Sequence, residues 1–337
     1  MRSRQLAICD SDKEYLKMLQ AYLQKKNPAD FEILVFDSVK KALETSLEVA
    51  FEILLIGEKV YDTNVIKINA SKVFILQEDG LSNITGYSMI AKYQSMEKLI
   101  AQVLEEFALD DNCHSVGCCG GNKTSLISFY APGRHRGQSI AALGAAELLA
   151  EQGYKVLYLN LMPFTGFEEL LGITYEADVT DFMYFVLNHS GKLLYKLDGM
   201  KRSLHGVDYL PPALDYADLM QISEHDWENV LDTLLHNSGY TYIVIDLSET
   251  CQGFYHILER SSKVYTLCDN RTVYGQAMLS HYKKLLQAKE YQNILEHSVE
   301  FMLPQDWEKL TGRLEDIAMS PVGVYMKGVL EDYECQV

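Results

Sequence analysis

Long apolar runs are missing from this sequence of 337 residues. No stretch approaches the ~18 consecutive apolar residues that a membrane-spanning helix needs. The charged start at residues 1–4 is followed by only a brief apolar run at 6–9, which is too short for the core of a secretory signal peptide. Internal repeats, low-complexity tracts and a nucleophile triad are missing as well. These absences predict a cytoplasmic protein that does not insert directly into a membrane.

Cysteines are few and form no regular framework. There are seven, an odd number at irregular spacing, which indicates reduced thiols in a cytosolic protein rather than disulfides. One cluster, Cys113-His114 with Cys118-Cys119, could suggest a metal site. Adjacent cysteines lack the two-residue spacing of typical zinc ligands, and no second pair follows. The sequence therefore argues against a metal at this cluster.

Positive charge is also scarce. Lysine and arginine number 30 against 47 aspartates and glutamates, which gives a net charge of −17. Residues 1–108 carry −3 of this charge, and the remainder of the chain carries −14. Such an acidic surface repels the phosphate backbone of DNA and anionic lipid headgroups, so DNA is not an expected partner. The stretch 322–332 ends acidic and contains two glycines, unlike a membrane-surface helix with a basic face.

Apolar strands and amphipathic helices alternate over residues 1–108. The run at 51–57 is almost wholly apolar, which is typical of a parallel strand covered on both faces. Right-handed crossovers would give a doubly wound sheet with its site at the carboxyl ends of the strands. The predicted strands are 5–9, 31–36, 51–57, 72–77 and a short fifth within 84–91, and the predicted helices are 14–24, 39–47 and 95–108.

The order of these elements resembles the receiver domain of response regulators. That family holds Mg²⁺ with an acidic pair after the first strand, where this chain has Asp10 and Asp12, and a lysine ends its fifth strand, where Lys92 lies. Gly57 replaces the aspartate that accepts phosphate, and Gln77 replaces the threonine or serine that ends the fourth strand. The resemblance therefore implies an atypical receiver without phosphotransfer. In such a domain, the remaining acidic residues and the lysine would pair or cap locally.

The second domain begins after a glycine-rich linker at 109–124 and extends over 125–337. Its first elements are a strand at 125–130, a loop at 131–137 and a helix over 138–152. A strand, a loop and a helix start form the frame of a phosphate-binding loop, because the amides and the dipole of a helix N-terminus attract anions. The expected fold class of the whole chain is α/β, with two doubly wound domains.

The loop and the strands after it resemble the ParA/MinD family of P-loop ATPases. With the family's deviant Walker A motif, KGGxGK[ST], aligned at the helix start, Gly137 takes the last glycine and Ser139 the Mg²⁺-binding hydroxyl. Gln138 replaces the phosphate-binding lysine, and Gly133 replaces the signature lysine. The resemblance implies a P-loop NTPase domain that binds ATP or ADP with Mg²⁺. The cofactor-binding candidates are Gly133, Arg134, His135, Arg136, Gly137, Gln138, Ser139 and Ile140, with Asp269 and Asn270 as loose candidates for contacts with the base.

Two strand ends match catalytic positions of the same family. The strand predicted over 155–159 leads to Asn160, where the family has an aspartate. The run 239–246 matches the Walker B strand, and Asp246 retains its carboxylate. The resemblance thus implies Asp246 and Asn160 as candidate catalytic residues, and Ser139 with Asp246 as candidate metal ligands.

The missing lysines weaken the predicted chemistry. A P-loop lysine neutralises phosphate charge in the transition state, whereas Gln138 can donate a hydrogen bond but supplies no charge. Arg134 or Arg136 could replace the lysine, because arginine binds phosphate in a fork. Asn160 cannot act as a carboxylate, and losing one positioned group typically lowers a rate by ~10²–10⁴-fold. The prediction is slow or absent hydrolysis, with nucleotide either held by backbone amides or not bound.

The joint order of the two domains resembles the TadZ/CpaE branch of the ParA/MinD family. Proteins of that branch also place a receiver-like domain before the ATPase, and residues 206–212, which end in Leu-Pro-Pro, resemble one of their strand-and-loop elements. The resemblance implies a localisation and assembly factor for a Tad-type pilus system. It would act as a homodimer, bind Tad-type secretion or pilus assembly proteins, and be recruited to a pole or a membrane-bound assembly.

Two other functions remain open at this point. An active ParA/MinD-type ATPase could position DNA or another complex, although it would need a working loop and usually a basic surface. A signalling protein would need phosphorylation of the first domain, which Gly57 opposes.

Overall fold

The chain divides into two compact units, each with its own sheet. Unit 1 holds residues 1–118 and 191–200, and unit 2 holds 119–190 and 201–337. The sequence pattern predicts a linker at 109–124 and a single domain after it. In the structure, residues 191–200 belong to the first unit. The computed structural model describes residues 4–26, 31–78, 84–110, 124–188, 192–305, 307 and 317–334.

The described residues of unit 1 form a five-stranded parallel sheet. Its strands are β1 (Gln5–Cys9), β2 (Glu32–Phe36), β3 (Phe51–Gly57), β4 (Ala70–Gln77) and β5 (Ser88–Ala91). The strand order, β2-β1-β3-β4-β5, is the flavodoxin-like order of doubly wound sheets. The predicted α/β architecture is therefore present in this unit. Its identity as a receiver domain stays a prediction.

Local sequence patterns explain the helices and strands of unit 1. The helices before the second unit are α1 (Lys13–Lys26), α2 (Val39–Ser46) and α3 (Met96–Leu109). Short 3-10 turns lie at Glu58–Val60 and Thr63–Lys67. Along α1 a stripe of side chains at helical spacing is buried: Tyr15, Leu16, Leu19 and Leu23. In contrast, β3 is buried along its whole length, which explains its almost continuous apolar run.

The described residues of unit 2 form a seven-stranded sheet. Its strands are β6 (Ser125–Tyr130), β7 (Val156–Asn160), β8 (Arg202–Leu204), β9 (Val207–Tyr209), β10 (Tyr242–Asp246), β11 (Lys263–Leu267) and β12 (Ser298–Phe301). The order is β12-β11-β6-β10-β7-β9-β8, and neighbours are parallel except β8 with β9. Asp246 lies between Phe129 of β6 and Asn160 of β7 in the register. The carboxyl ends of the central strands thus bring the predicted site residues together.

Helix α4 forms the centre of the core of unit 2. The helices after residue 124 are α4 (Gln138–Glu151), α5 (Phe167–Leu171), α6 (Val179–Asn188), α7 (Leu193–Met200), α8 (Tyr216–Gln221), α9 (Glu224–Asn237), α10 (Phe254–Arg260), α11 (Val273–Ala288), α12 (Gln292–Glu296) and α13 (Pro321–Glu334), and all but α7 belong to unit 2. Alanine and leucine let α4 pack closely on nearly all sides. Among the described residues, no helix is both long and apolar enough to cross a membrane.

Helix α7 packs against α3 within unit 1. Tyr195 is fully buried, its ring lies 4.8 Å from that of Phe107, and its hydroxyl donates to the carboxylate of Glu52. Lys196 forms an ion pair with Glu105 at 3.0 Å. A buried aromatic ring with a satisfied hydroxyl explains why this segment belongs to unit 1, although the chain on either side of it belongs to unit 2.

Candidate functional site

The loop between β6 and α4 bonds to itself. Arg134 has a φ of 54°, in the left-handed region that few non-glycine residues adopt. Its amide donates to the Ala131 carbonyl at 2.9 Å, and the amide of Gln138 donates to the His135 carbonyl at 3.0 Å. The amide of Gly137 donates to Nδ1 of His135 at 3.0 Å. These amides, which a phosphate-binding loop would direct at an anion, are thus bonded inside the loop.

The side chain of Gln138 points into the fold and is 2% exposed. Its Nε2 lies 2.6 Å from Oδ1 of Asp246, 2.9 Å from the carbonyl oxygen of Leu247 and 3.1 Å from that of Phe129. An amide NH₂ carries two hydrogens, so these acceptors share them, and the carboxylate is the nearest. The residue in the predicted lysine position therefore bonds to the ends of β10 and β6.

The carboxyl group of Asp246 is fully buried at the end of β10. Burial raises its pKa from the ordinary 3.8 to about 6, although hydrogen bonds from Ser139, Gln138 and Tyr158 oppose the shift. The Tyr158 hydroxyl lies 3.4 Å from Oδ2. Because the groups that bond to this carboxyl are neutral donors, desolvation is not compensated by an opposite charge.

Asn160 joins the same buried network from β7. Its Nδ2 donates to the Tyr158 hydroxyl at 3.2 Å, and its Oδ1 accepts from the Met162 amide at 3.0 Å. Tyr158 therefore links Asn160 to Asp246. Sequence reasoning missed Tyr158, and the signal that could have found it is a hydroxyl inside the apolar run of β7. The structure thus brings both candidate catalytic residues together, but their polar atoms bond to protein groups.

The described residues do not fit Mg²⁺ bound in the way the family resemblance implies. Magnesium keeps several waters and needs accessible oxygen ligands, but Asp246 is fully buried and Ser139 hydrogen-bonds to it. No group of three or more histidine, cysteine, aspartate or glutamate side chains suited to a metal occurs in the described part of the chain. The cysteine cluster at 113–119 lies outside the described residues. The described cysteines are free, buried thiols: Cys9, Cys251 and Cys268.

The loop arginines were predicted to be able to replace the missing lysine. In the structure, Nε and Nη2 of Arg134 lie 2.7 and 2.6 Å from Oε1 of Glu249. The arginine side chain is 75% exposed, so solvent screens this ion pair. Arg136 is exposed on the same loop. Glu249, which sequence reasoning also missed, competes with any anion for Arg134.

The two loop glycines have different surroundings. A Cβ on Gly137 would collide with Cδ1 of Leu303 and would lie 3.1 Å from Nδ1 of His135 and 3.2 Å from Trp307. Leu303 is 3% exposed and belongs to the core of unit 2, where added volume is poorly tolerated. A Cβ on Gly133 would meet no atom within 4 Å. Packing therefore requires glycine at position 137. It does not require glycine at position 133, where the signature lysine of the family is missing.

Two cavities flank the loop in unit 2. One, of about 600 Å³, lies between the loop and residues 162–170, and Gln138, Ser139 and Ile140 are among its lining. The other, of about 470 Å³, lies between the loop and the start of α11. All candidate residues of the loop except Gly137 therefore line one of these cavities or both.

The two loose candidates for contacts with the base lie apart. Asp269 lines the smaller cavity and pairs with Arg271 at 3.0 Å. Asn270 is outside that lining, and its carbonyl oxygen accepts from Nε2 of Gln276 at 2.7 Å. The structure thus places only Asp269 beside the loop.

A second buried polar cluster lies at the strand ends of unit 1. Nζ of Lys92 lies 2.8 Å from Oδ2 of Asp10 and donates to Oε1 of Glu78 at 2.9 Å. Burial lowers the pKa of Lys92, but its hydrogen bonds to these two carboxylates outweigh burial and hold the pKa above its usual value. A Cβ on Gly57 would collide with the Asp10 carboxylate. The predicted local pairing is therefore present, and Asp10 fills the space beside Gly57.

The remaining members of this cluster have structural roles. Asp12 accepts from the amides of Glu14 and Tyr15 at 3.0 and 3.1 Å and so caps the start of α1. Glu78 directly follows Gln77 at the end of β4 and also pairs with Lys59. Sequence reasoning missed Glu78, because a carboxylate one residue beyond a strand end gives no sign of its direction.

Known proteins resemble this chain in structure rather than in sequence. No protein-family model matches it, and no curated protein matches it. A ParA family ATPase from Chlorobium tepidum TLS matches in structure with 15% identity and a TM-score of 0.49, over 60% of this chain and 97% of that chain. A plasmid partition protein from Borrelia burgdorferi matches with 16% identity and a TM-score of 0.43, over 64% and 100%.

A third similar structure contains nucleotide. Cobyrinic acid a,c-diamide synthase from Mycobacterium smegmatis, with bound ATP analog and magnesium, matches with 15% identity and a TM-score of 0.45, over 64% of this chain and 97% of that chain. The structural neighbours thus include ParA-type ATPases. Identities and TM-scores this low assign no activity to this chain.

Proposed function

We propose that this chain is a scaffold built on a degenerate ParA/MinD-type nucleotide loop, and that it hydrolyses ATP very slowly or not at all. The proposal is carried by the distance of 2.6 Å between Nε2 of Gln138 and Oδ1 of Asp246. The residue in the lysine position and the Walker B carboxylate satisfy each other. Neither group is then directed at a phosphate or a metal ion.

The charge balance of the site supports slow or absent hydrolysis. Phosphoryl transfer needs positive charge beside the β- and γ-phosphates. Gln138 supplies none, and Arg134 is paired with Glu249. Each missing positioned group typically lowers a rate by ~10²–10⁴-fold. Weak binding of ATP or ADP would then depend on backbone amides at the start of α4 and would not lead to turnover.

The biological role that we propose is localisation and assembly of a Tad-type pilus system, as in the TadZ/CpaE branch. A flavodoxin-like sheet order in unit 1 and a loop in unit 2 whose amides bond within the loop support this combination of an atypical receiver with a degenerate ATPase. The protein would act as a homodimer, bind Tad-type secretion or pilus assembly proteins, and be recruited to a pole or a membrane-bound assembly. The net charge of −17 disfavours DNA as a partner.

Two measurements test whether Gln138 and Asp246 block nucleotide chemistry. Calorimetry with ATP and ADP, with and without Mg²⁺, measures binding, and an assay of phosphate release measures turnover. We expect phosphate release from the wild type to be no faster than from Asp246→Ala. Gln138→Lys should break the contact with Asp246 and tighten nucleotide binding, because it returns a positive charge to the helix start. Gln152→Lys, the same change at the exposed residue that follows the end of α4, is the matched control and should have no effect.

Ordinary turnover that Asp246→Ala abolishes would contradict the proposal. Turnover stimulated by DNA would favour an active ATPase that positions DNA. Chromosomal neighbours without pilus genes would count against the Tad role while leaving the closed site intact.

A further inference from the structure

An exposed apolar surface lies beside the loop in unit 2, on residues 163–181 and 212–216, and we name it the Phe164 surface. Phe164 is 87% exposed, Leu214 85% and Leu170 59%. The ring of Phe164 lies 5.8 Å from that of Tyr216. A cavity of about 670 Å³ opens between the two segments. Large apolar side chains grouped at a cavity mark an interaction site rather than ordinary scattered exposure.

The two segments of the Phe164 surface carry only negative charge, and the arginines nearest in the structure, Arg134 and Arg136, line the neighbouring cavity beside the loop. No lysine or arginine occurs between Lys155 and Lys192, or between Arg202 and Arg260. The charged residues within 163–181 are all acidic: Glu168, Glu169, Glu176, Asp178 and Asp181. All five line the cavity. The surface therefore combines exposed apolar side chains with carboxylates that no basic residue of the same segments neutralises.

These carboxylates divide into two kinds. Oε1 of Glu168 accepts from the amide of Tyr175 at 2.7 Å, and Oδ2 of Asp178 accepts from the amide of Leu214 at 3.0 Å. These bonds hold the shape of the surface. Glu169 and Glu176 are exposed, and within the described part of the chain their side chains take part in no hydrogen bond or ion pair. They are therefore available to a cation from outside.

We propose that the Phe164 surface docks a basic amphipathic segment of a partner protein. An apolar side chain of the partner would pack between Phe164 and Leu214, and its lysines or arginines would meet Glu169 and Glu176. Charge complementarity selects this occupant, because basic groups steer association with an acidic surface. A second copy of this chain would bring a net charge of −17 to the same site, and anionic lipid headgroups would be repelled. The inference goes beyond the proposed scaffold and holds whether or not nucleotide binds.

A synthetic basic amphipathic peptide tests the proposal on the full chain. The probe has about 14 residues, or roughly four helical turns, with leucine on one face and lysine on the other. Its binding is followed by fluorescence anisotropy at low and high salt. We expect the affinity to fall at least about tenfold in Glu169→Lys/Glu176→Lys and in Phe164→Ser/Leu214→Ser, because one variant removes the charge and the other the anchors.

Matched controls separate docking from general attraction to an acidic protein. Glu44→Lys/Glu48→Lys changes the net charge equally on exposed residues of unit 1, and Ile66→Ser removes an apolar side chain that is 80% exposed. Both should bind the peptide like the wild type. All of these positions are exposed, so the variants are expected to fold. Glu169 and Glu176 lie outside the lining of the cavity beside the loop, so nucleotide calorimetry of Glu169→Lys/Glu176→Lys should match the wild type. That match separates failure of this proposal from failure of the proposed scaffold.

Four outcomes would overturn the docking proposal. One is no peptide binding up to about 1 mM, a free energy of only about −4 kcal/mol. Another is equal weakening by Glu44→Lys/Glu48→Lys, which would mean non-specific charge attraction. Self-association of the wild type that Phe164→Ser/Leu214→Ser abolishes would make the surface an interface between copies. Binding to phosphatidylglycerol vesicles that the same variant abolishes would make it a lipid site.

Discussion

The buried carboxyl groups at the strand ends of the two units bond to different kinds of partner. In unit 1 the carboxylates of Asp10 and Glu78 meet Lys92, so opposite charges neutralise each other. In unit 2 the carboxyl of Asp246 meets neutral donors such as Gln138. The first arrangement places opposite charges in contact. The second leaves desolvation uncompensated and raises the pKa of the buried acid.

This difference predicts how each cluster responds to change. An ion-paired cluster should be insensitive to pH near neutrality but strongly dependent on each partner, because removing one leaves a buried charge unpaired. A cluster of one acid and neutral donors should tolerate the loss of a donor better, yet lose stability as the acid ionises.

The largest effect should come from Lys92→Met. It leaves Asp10 buried without its cation, while Glu78 keeps only Lys59, and breaking a buried pair in this way typically destabilises by about 3–5 kcal/mol. Hydrogen exchange of the β1 and β3 amides measures the free energy of opening of unit 1 alone. Lys59→Met is the control, because its side chain is 68% exposed, so solvent screens its ion pair and the loss of that pair should have little effect. Equal, small effects of both changes would contradict the neutralised cluster.

The next effect is a pH dependence that Asp246→Asn should remove. The folded pKa of about 6 exceeds the ordinary 3.8, so protonation favours the folded state. That contribution is complete below about pH 4 and is lost as the pH rises through about 6. Relative to the variant, the wild type should lose about 2–3 kcal/mol of unfolding free energy between about pH 4 and pH 7, since one pKa unit corresponds to about 1.4 kcal/mol.

Tryptophan fluorescence during urea unfolding measures this dependence in unit 2 alone. The chain has two tryptophans, Trp227 and Trp307, and both belong to unit 2. Asp218→Asn, an exposed carboxylate on α8, is the control and should follow the wild-type curve. If the unfolding free energies of Asp246→Asn and the wild type changed with pH in parallel, the inference that burial raises the pKa of Asp246 would be wrong.

A smaller effect should separate the two loop glycines. Gly137→Ala places a methyl group against Leu303, and such overpacking typically costs about 1–3 kcal/mol. Gly133→Ala meets no atom within 4 Å and should be neutral, or stabilise by up to about 1 kcal/mol through the unfolded chain. The same urea titration compares them. Equal losses would show that the loop, rather than the packing on it, requires glycine.

The smallest effect should come from Glu249→Gln. The ion pair with Arg134 is exposed, so its loss should change stability by about 1 kcal/mol or less, and by less still at high salt. The change also releases the arginine, so inorganic phosphate should bind more tightly in calorimetry. Arg134→Gln/Glu249→Gln is the control that should cancel this gain. A loss of several kcal/mol would mean that the pair holds the loop together.

Local patterns were sufficient for many elements of the fold. The apolar runs of β3 and β10 and the helical spacing along α1 each carry their own signal, so their prediction needed no partner. The short strands β8 and β12 were missed, because strands of three or four residues acquire their character from the strand they pair with. The assignment of α7 to unit 1 was missed for a related reason, since it depends on contacts such as that of Tyr195 with Phe107, far apart in the chain.

The candidate site divides in the same way. That Gln138 replaces a lysine and that Asp246 ends its strand follow from the sequence and its family resemblance. That these two side chains contact each other could not be predicted, because a motif gives residue types without directions. Glu78 and Glu249 were missed since neither belongs to a motif, and each became important through a cation that folding brought near it.

The sequence by itself determined the α/β alternation and the excess of negative charge. It also determined which residues replace the charged site residues of the two families that the chain resembles. These properties depend on composition and short-range spacing, which each segment carries alone. Only the tertiary structure decided that both sites are closed by the protein's own side chains. Burial removes water from groups distant in sequence, and each desolvated polar atom must then find a partner among whatever neighbours the fold supplies.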